Sequence, residues 1–323
     1  MMRHLNKGLV LHVGLLKTGS TTLQSTLFSK HSQLYFLGQC PGGSPANKSC
    51  RSEIVYQILR PLLWNPRKPF DAIEIRQMCQ DKILSVLPDD RCLLGSWETL
   101  GNSSVDVHIE RLDRIKKVFG TCRIIFTLRN PLKQVPSWYL QHLEEAFLKQ
   151  KNKWMELSSF FNIDKWFENS CSRKGMKGNL LNYTQNIQAS IELLGKENVG
   201  VFLFEDLIRN PESYYRSLSS FIDIDGDETF TLCQQKHLNK RITQGQLDLI
   251  RRLYSSFLAR ALLPYLSARF RKTLLKKAAR GTVPARIDLT PELHQIIVRD
   301  TRRGHRWLVD NFDLPLQEYD YPL

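Results

Sequence analysis

Apolar residues along the chain follow two periodicities. Continuous short runs at Leu9–Val13, Cys92–Gly95, Arg123–Leu128 and Asn198–Phe204 read as buried strands, and Arg123–Leu128 is the clearest of them. A further short apolar piece lies at Leu34–Leu37. Between the runs, apolar residues recur at helical spacing over Ser20–Lys30, Arg51–Leu63, Asp71–Leu87, Val105–Val118, Phe160–Ser170 and Tyr183–Leu194. The same spacing covers Glu212–Ile222, Gln244–Leu262 and Pro291–Phe312, and a long helix is expected from Pro131 toward Lys149. Strands alternating with helices predict an α/β fold whose parallel sheet is covered on both faces. No internal repeat interrupts this alternation.

The strand ends carry the polar chemistry. Leu9–Val13 runs into Gly14-Leu15-Leu16-Lys17-Thr18-Gly19-Ser20-Thr21-Thr22, a strand, a glycine-bounded loop and a helix start. Such a turn gathers backbone N–H groups and a helix N-terminus, which suits a phosphate. The two glycines keep the spacing of a nucleotide-binding Walker loop, but Ser20 follows Gly19 where that loop has lysine, and the lysine stands inside the loop as Lys17. Three other strand ends carry Glu98, Arg129 and Phe204-Glu205. Ligands of parallel α/β sheets gather beyond such ends.

Composition narrows the partners. The 46 Lys and Arg outnumber the 32 Asp and Glu by 14, which favours an anionic ligand or surface; no nucleic-acid motif stands out. Seven cysteines are scattered without a C-x-x-C pair, a pattern of reduced thiols in a cytoplasmic protein, with Cys40 and Cys50 able to pair in an oxidising compartment. No apolar run is long enough to span a membrane. No cluster of carboxylates or histidines has metal-ligand spacing, so no metal is expected.

The stretch Leu16–Thr22 resembles the 5′-phosphosulfate loop of the PAPS-dependent sulfotransferases, which move a sulfuryl group from 3′-phosphoadenosine 5′-phosphosulfate (PAPS) to an acceptor and release PAP. The resemblance runs in the family's order from about Leu9 to Phe221. It implies a single domain over 1–323 with a P-loop-like sheet, in which 38–90 and 150–185 are acceptor-side insertions. The animal Golgi members of the family carry an N-terminal anchor, whereas this chain begins almost on its first strand. In this scheme Lys17 stabilises charge on the bridging oxygen, while Thr18, Gly19, Ser20, Thr21 and Thr22 hold the 5′-phosphate. Arg129 and Ser137, eight residues apart, match the family's 3′-phosphate pair. Phe204 matches an aromatic near the adenine, or is a buried strand-end residue. Lys240 and Arg241 fall where the family places a basic loop over the 3′-phosphate.

A general base must take the acceptor's proton. Glu98 fits the family's position between the two phosphate motifs, with His142 as its rival; His12 reads as a core histidine. The glutamate and the short unanchored chain point to a carbohydrate or glycolipid acceptor, with Trp64, Trp97, Trp154 and Trp166 as candidate sugar-stacking rings. Two other readings stand beside this one: a nucleotide-dependent phosphotransferase, and an inactive relative that holds a polyanion. Residues 249–287 contain ten Lys and Arg and no Asp or Glu. With Leu262, Leu263, Leu266, Phe270 and Leu274 at helical spacing, this basic helical segment suits an anionic membrane, a polyanionic acceptor, or ordinary packing with a solvated face.

Overall fold

Five strands form one parallel sheet in the order β2-β3-β1-β4-β5: β1 is Leu9–Gly14, β2 Leu34–Gln39, β3 Cys92–Ser96, β4 Cys122–Leu128 and β5 Val199–Leu203. The computed structural model describes residues 8–39, 50–64, 68–88, 91–149, 157–171, 181–234, 241–281 and 283–323. They divide into two compact units interleaved along the sequence. The first comprises Met1–Arg129, Asn182–Asn239 and Gly304–Pro315; the second comprises Asn130–Leu181, Lys240–Arg303 and Leu316–Leu323.

The first unit holds the sheet. The central strands β1 and β4 are covered on both faces, which is why they read as predominantly apolar runs. Against one face pack α1 (Ser20–Leu23) with its π-helical continuation Gln24–Phe28, α10 (Pro211–Ile222) and α11 (Gly226–Cys233). Leu23, Leu27, Phe28, Tyr215 and Leu218 there meet Val10, Leu94 and Ile125 of the sheet. The opposite face carries α5 (Val105–Phe119) and α8 (Tyr183–Leu194); the His108 ring lies 6.0 Å from Phe126, and its Nε2 is 2.8 Å from Ser190 Oγ. Outside α5 lie α2 (Glu53–Leu63) and α3 (Ala72–Lys82). Two short helices, α4 (Glu98–Gly101) and α9 (Phe204–Arg209), begin directly beyond β3 and β5.

Three local features of the first unit differ from the sequence expectation. The apolar piece at Leu34–Leu37 is an edge strand that continues to Gln39, past a register shift between Phe36 and Gly38, where Gly38 takes φ 101°. Helix α1 widens into a π turn at Gln24, whose side chain is drawn into the protein. Phe204 opens α9 instead of ending β5.

The second unit is helical. Its long helix α6 (Pro131–Lys149) packs with α7 (Ile163–Cys171), α12 (Gln244–Ser255) and α14 (Ala268–Ala278). Asn130 starts α6: its side-chain oxygen accepts from Leu132 N–H at 2.9 Å, and its amide donates to the carbonyls of Tyr319 and Asp320. The helix expected over Gln244–Leu262 breaks at Ser256, whose ψ of 122° leaves the helix and whose hydroxyl caps α13 (Phe257–Leu262). The last helix, α15 (Pro291–Phe312), passes from the second unit into the first at Gly304. Among the described residues no helix is long and apolar enough to cross a membrane, and Cys79, Cys122 and Cys233 are free thiols; Cys40 lies outside the described residues.

Candidate active site

The loop after β1 is shaped by backbone geometry that few residues adopt. Lys17 takes φ 67° and Gly19 φ 87°, so the chain turns twice through the left-handed region before α1. Gly14 is required at the loop's base: a Cβ there would collide with the Ser20 hydroxyl and stand 2.6 Å from Thr127 Oγ1. Ser20 Oγ is itself buried and makes no hydrogen bond of regular geometry. A close glycine and a buried hydroxyl at the loop's end fit an anion that accepts from both loop and side chain. Thr21 is exposed and Thr22 partly so, while the Thr18 hydroxyl is turned inward and leaves only its N–H for a ligand.

Beneath the loop runs a chain of buried hydrogen bonds whose directions are fixed by elimination. Thr18 Oγ1 donates to the Leu15 carbonyl at 2.6 Å, so the Thr127 hydroxyl, 2.9 Å away, must donate to Thr18. Thr127 therefore accepts from His12 Nε2 at 3.3 Å, which leaves His12 Nδ1 to accept from Ser96 Oγ at 2.8 Å. Ser96 in turn accepts from Gln24 Nε2 at 2.8 Å, and the Gln24 carbonyl accepts from Gln39. Only neutral His12 satisfies this chain, and burial lowers its pKa to about 3. The sequence reading placed His12 in the core but missed its partners. The signal was present as polar Thr127 and Ser96 within otherwise apolar strands.

Glu98 stands at the first turn of α4, beyond β3. Burial raises its carboxyl pKa above the ordinary carboxylate range, and the nearby Ser20 hydroxyl and Lys17 charge only partly offset that rise. Arg129, beyond β4, donates to the Lys17 carbonyl at 3.0 Å, and its guanidinium lies 4.7 Å from the centre of the Phe204 ring. The edge of Phe204 also borders Gly19, where an added Cβ would come within 3.3 Å of it. The ends of β1, β3, β4 and β5 thus bring Lys17, Ser20, Glu98, Arg129 and Phe204 to one side of the first unit.

Ser137 and His142 belong to the second unit, both on α6. Ser137 is buried at 8% exposure. His142 Nδ1 accepts the Trp166 indole N–H at 2.9 Å, which puts the ring proton of the neutral form on Nε2. Arg241 is exposed ahead of α12, and Lys240 lies outside the described residues. Of the four tryptophans offered as sugar platforms, Trp97 and Trp166 are buried, at 5% and 2% exposure, Trp97 under the Arg111 guanidinium. These two are core residues, which corrects that expectation. Trp154 lies outside the described residues. Trp64 is 50% exposed and lines a groove of about 550 Å³ with Glu53, Tyr56, Gln57, Arg60 and Lys68. Among the described residues, no group of three or more His, Cys, Asp or Glu could hold a metal ion.

The family model of the sulfotransferase domain matches residues 8–248. The chain is similar in fold to a sulfotransferase from Alicyclobacillus acidocaldarius, with 11% identity, a TM-score of 0.50 and coverage of 96% of this chain and 97% of that one. Mouse sulfotransferase SULT7A1 complexed with PAP matches at 12% identity and a TM-score of 0.43, covering 93% and 88% of the two chains. The sulfotransferase domain from the curacin biosynthetic pathway matches at 15% identity and a TM-score of 0.44, covering 90% and 96%. No curated protein matches the chain significantly.

Proposed function

Because the chain belongs to the PAPS-dependent sulfotransferase family, we propose that its loop, Glu98 and Arg129 carry out sulfuryl transfer to the hydroxyl of a carbohydrate or glycolipid. The observation that carries the site assignment is the convergence of Lys17, the buried Ser20 hydroxyl and a desolvated Glu98 at adjacent strand ends. PAPS supplies the activated sulfuryl group. The loop N–H groups of Lys17–Thr21 and the hydroxyls of Ser20 and Thr21 hold its 5′-phosphate, and the Lys17 ammonium steadies negative charge that grows there. Arg129 binds the 3′-phosphate, and Phe204 faces the base.

Glu98 takes the proton of the acceptor hydroxyl at its carboxylate oxygen. Its raised pKa makes it a stronger base than an exposed glutamate. His142 is the weaker candidate, since the lone pair at Nδ1 is already taken by Trp166. A carbohydrate acceptor is supported by the Trp64 groove, where an exposed indole and the side chains of Arg60, Gln57 and Glu53 combine a stacking face with hydroxyl-binding groups. The free thiols of Cys79, Cys122 and Cys233 support a reducing compartment such as the cytoplasm.

Calorimetric titration tests the donor site. PAP should bind the wild-type chain, Mg-ATP should not, and Arg129→Ala should weaken PAP by roughly 10- to 100-fold, the loss expected for a charged hydrogen bond. Binding of Mg-ATP in place of PAP would overturn the reading in favour of a phosphotransferase.

A further inference from the structure

In the second unit, the segment from α13 through α14 shows water an apolar surface that a packed helix hides. Phe257 and Leu258 are each 73% exposed, Leu262 61%, Tyr265 85% and Phe270 50%. The segment is nonetheless anchored. Leu263 and Leu275 are buried, and Arg271, read from the sequence as part of the basic face, is instead 5% exposed and donates to the carbonyls of Leu263 and Leu148 at 3.2 and 2.9 Å. One side of the segment holds it to its unit and the other is turned out. The break at Ser256 produces this arrangement, because α13 starts afresh there and presents Phe257, Leu258 and Leu262 outward.

Charge selects what covers these side chains. Arg269, Lys272, Lys276, Lys277 and Arg280 are exposed on the same segment, and residues 249–287 contain no Asp or Glu. The Arg260 guanidinium lies 5.8 Å from the Phe257 ring centre. A second copy of this chain meeting the face across a two-fold axis would set these cations against their own kind. A soluble polyanion would satisfy the cations and leave the aromatic and leucine side chains in water. An anionic bilayer satisfies both: bulky apolar groups enter the headgroup layer while long basic side chains reach the lipid phosphates.

We propose that the α13–α14 face docks on an anionic phospholipid membrane. None of these residues belongs to the loop or to the Glu98 site, so the proposal stands apart from sulfuryl transfer. The test is sedimentation of the full chain with vesicles of phosphatidylcholine alone and with added phosphatidylserine, at low and high salt. Binding is expected only with phosphatidylserine and should weaken with salt. Joint replacement of Lys272, Lys276 and Lys277 by Gln should weaken it by about 100-fold, at about fivefold for each cation near the surface. The double variant Phe257→Ser/Leu258→Ser should lose at least about tenfold for the removed apolar contact. Its thermal melt and PAP affinity should match wild type, which separates loss of docking from misfolding and from failure of the donor site. Equal binding to both vesicle types, or none, overturns the proposal. So does anionic-vesicle binding that survives the double variant and is matched by heparin, which would mark a polyanion site. A dimer in sedimentation velocity that the double variant dissolves overturns it as well.

Discussion

Two regions of this molecule invert the usual placement of side chains, in opposite directions. Beneath the loop Gly14–Thr22, Thr18, His12, Thr127, Ser96 and Gln24 are polar and buried; along α13, Phe257, Leu258 and Leu262 are apolar and exposed. The first inversion is resolved inside the protein, since every donor in the chain from Gln39 to the Leu15 carbonyl finds an acceptor. The second is turned outward among the described residues, with the Arg260 guanidinium beside Phe257. A buried polar network therefore speaks of positioning, and an exposed apolar row speaks of a partner.

Perturbing the loop region should have the largest effect where the chemistry is. Glu98→Gln should lower kcat by about 10²- to 10⁴-fold with PAP affinity near wild type, as measured by sulfate transfer from labelled PAPS. In the wild type, activity should fall with acidity at a pH above the ordinary glutamate range, because the proposed base acts ionised and the Glu98 pKa is raised. The sign for stability follows. Ionising Glu98 opposes folding, so this penalty is absent at acid pH and grows as pH rises through its folded pKa. Glu98→Gln should thus melt higher than wild type at neutral pH and converge with it in acid, a comparison that calorimetry can make.

A smaller loss is expected one layer down. Thr127→Val keeps the shape but orphans His12 Nε2–H and the Thr18 oxygen, and should cost about 1–3 kcal/mol in urea unfolding while loosening the loop and weakening PAP. His12 adds a pH dependence of known direction. The unfolded chain takes up a proton near pH 6.5 that the native ring refuses until about pH 3, so stability is full above that window and declines as pH falls through it. His12→Asn should flatten part of this decline; His108, lowered to about 4, retains the rest. Smallest of all is the effect on the exposed row. Phe257→Ser/Leu258→Ser should change unfolding free energy by no more than about 0.5 kcal/mol per site, as for surface positions without internal partners.

The legible and illegible parts of the chain differ by where their causes lie. The loop Gly14–Thr22 and the strand Arg123–Leu128 are local patterns, and both stand where the sequence puts them. The widening of α1 into a π turn was not readable, since it goes with Gln24 reaching Ser96 and Gln39 on two other strands. Trp166 looks like any exposed aromatic until Trp138, Tyr139 and His142 close around it. The break at Ser256 did have a local sign, a serine placed to cap Ala259, but the apolar spacing on either side masks it. Arg271 reads as one cation among many; its burial depends on carbonyls at Leu263 and Leu148, the latter 123 residues away.

Among the described residues, the non-glycine positions with positive φ are Lys17, Asp223, Asp313 and Asp320. Aspartate accepts that geometry with little strain, whereas a lysine holds about 1 kcal/mol of backbone energy there. A glycine at position 17 would release it, and selection for heat resistance alone would drift toward that change. The ammonium beside Glu98 would go with it, so the loop's strained backbone position is also the one whose charge lowers the Glu98 pKa.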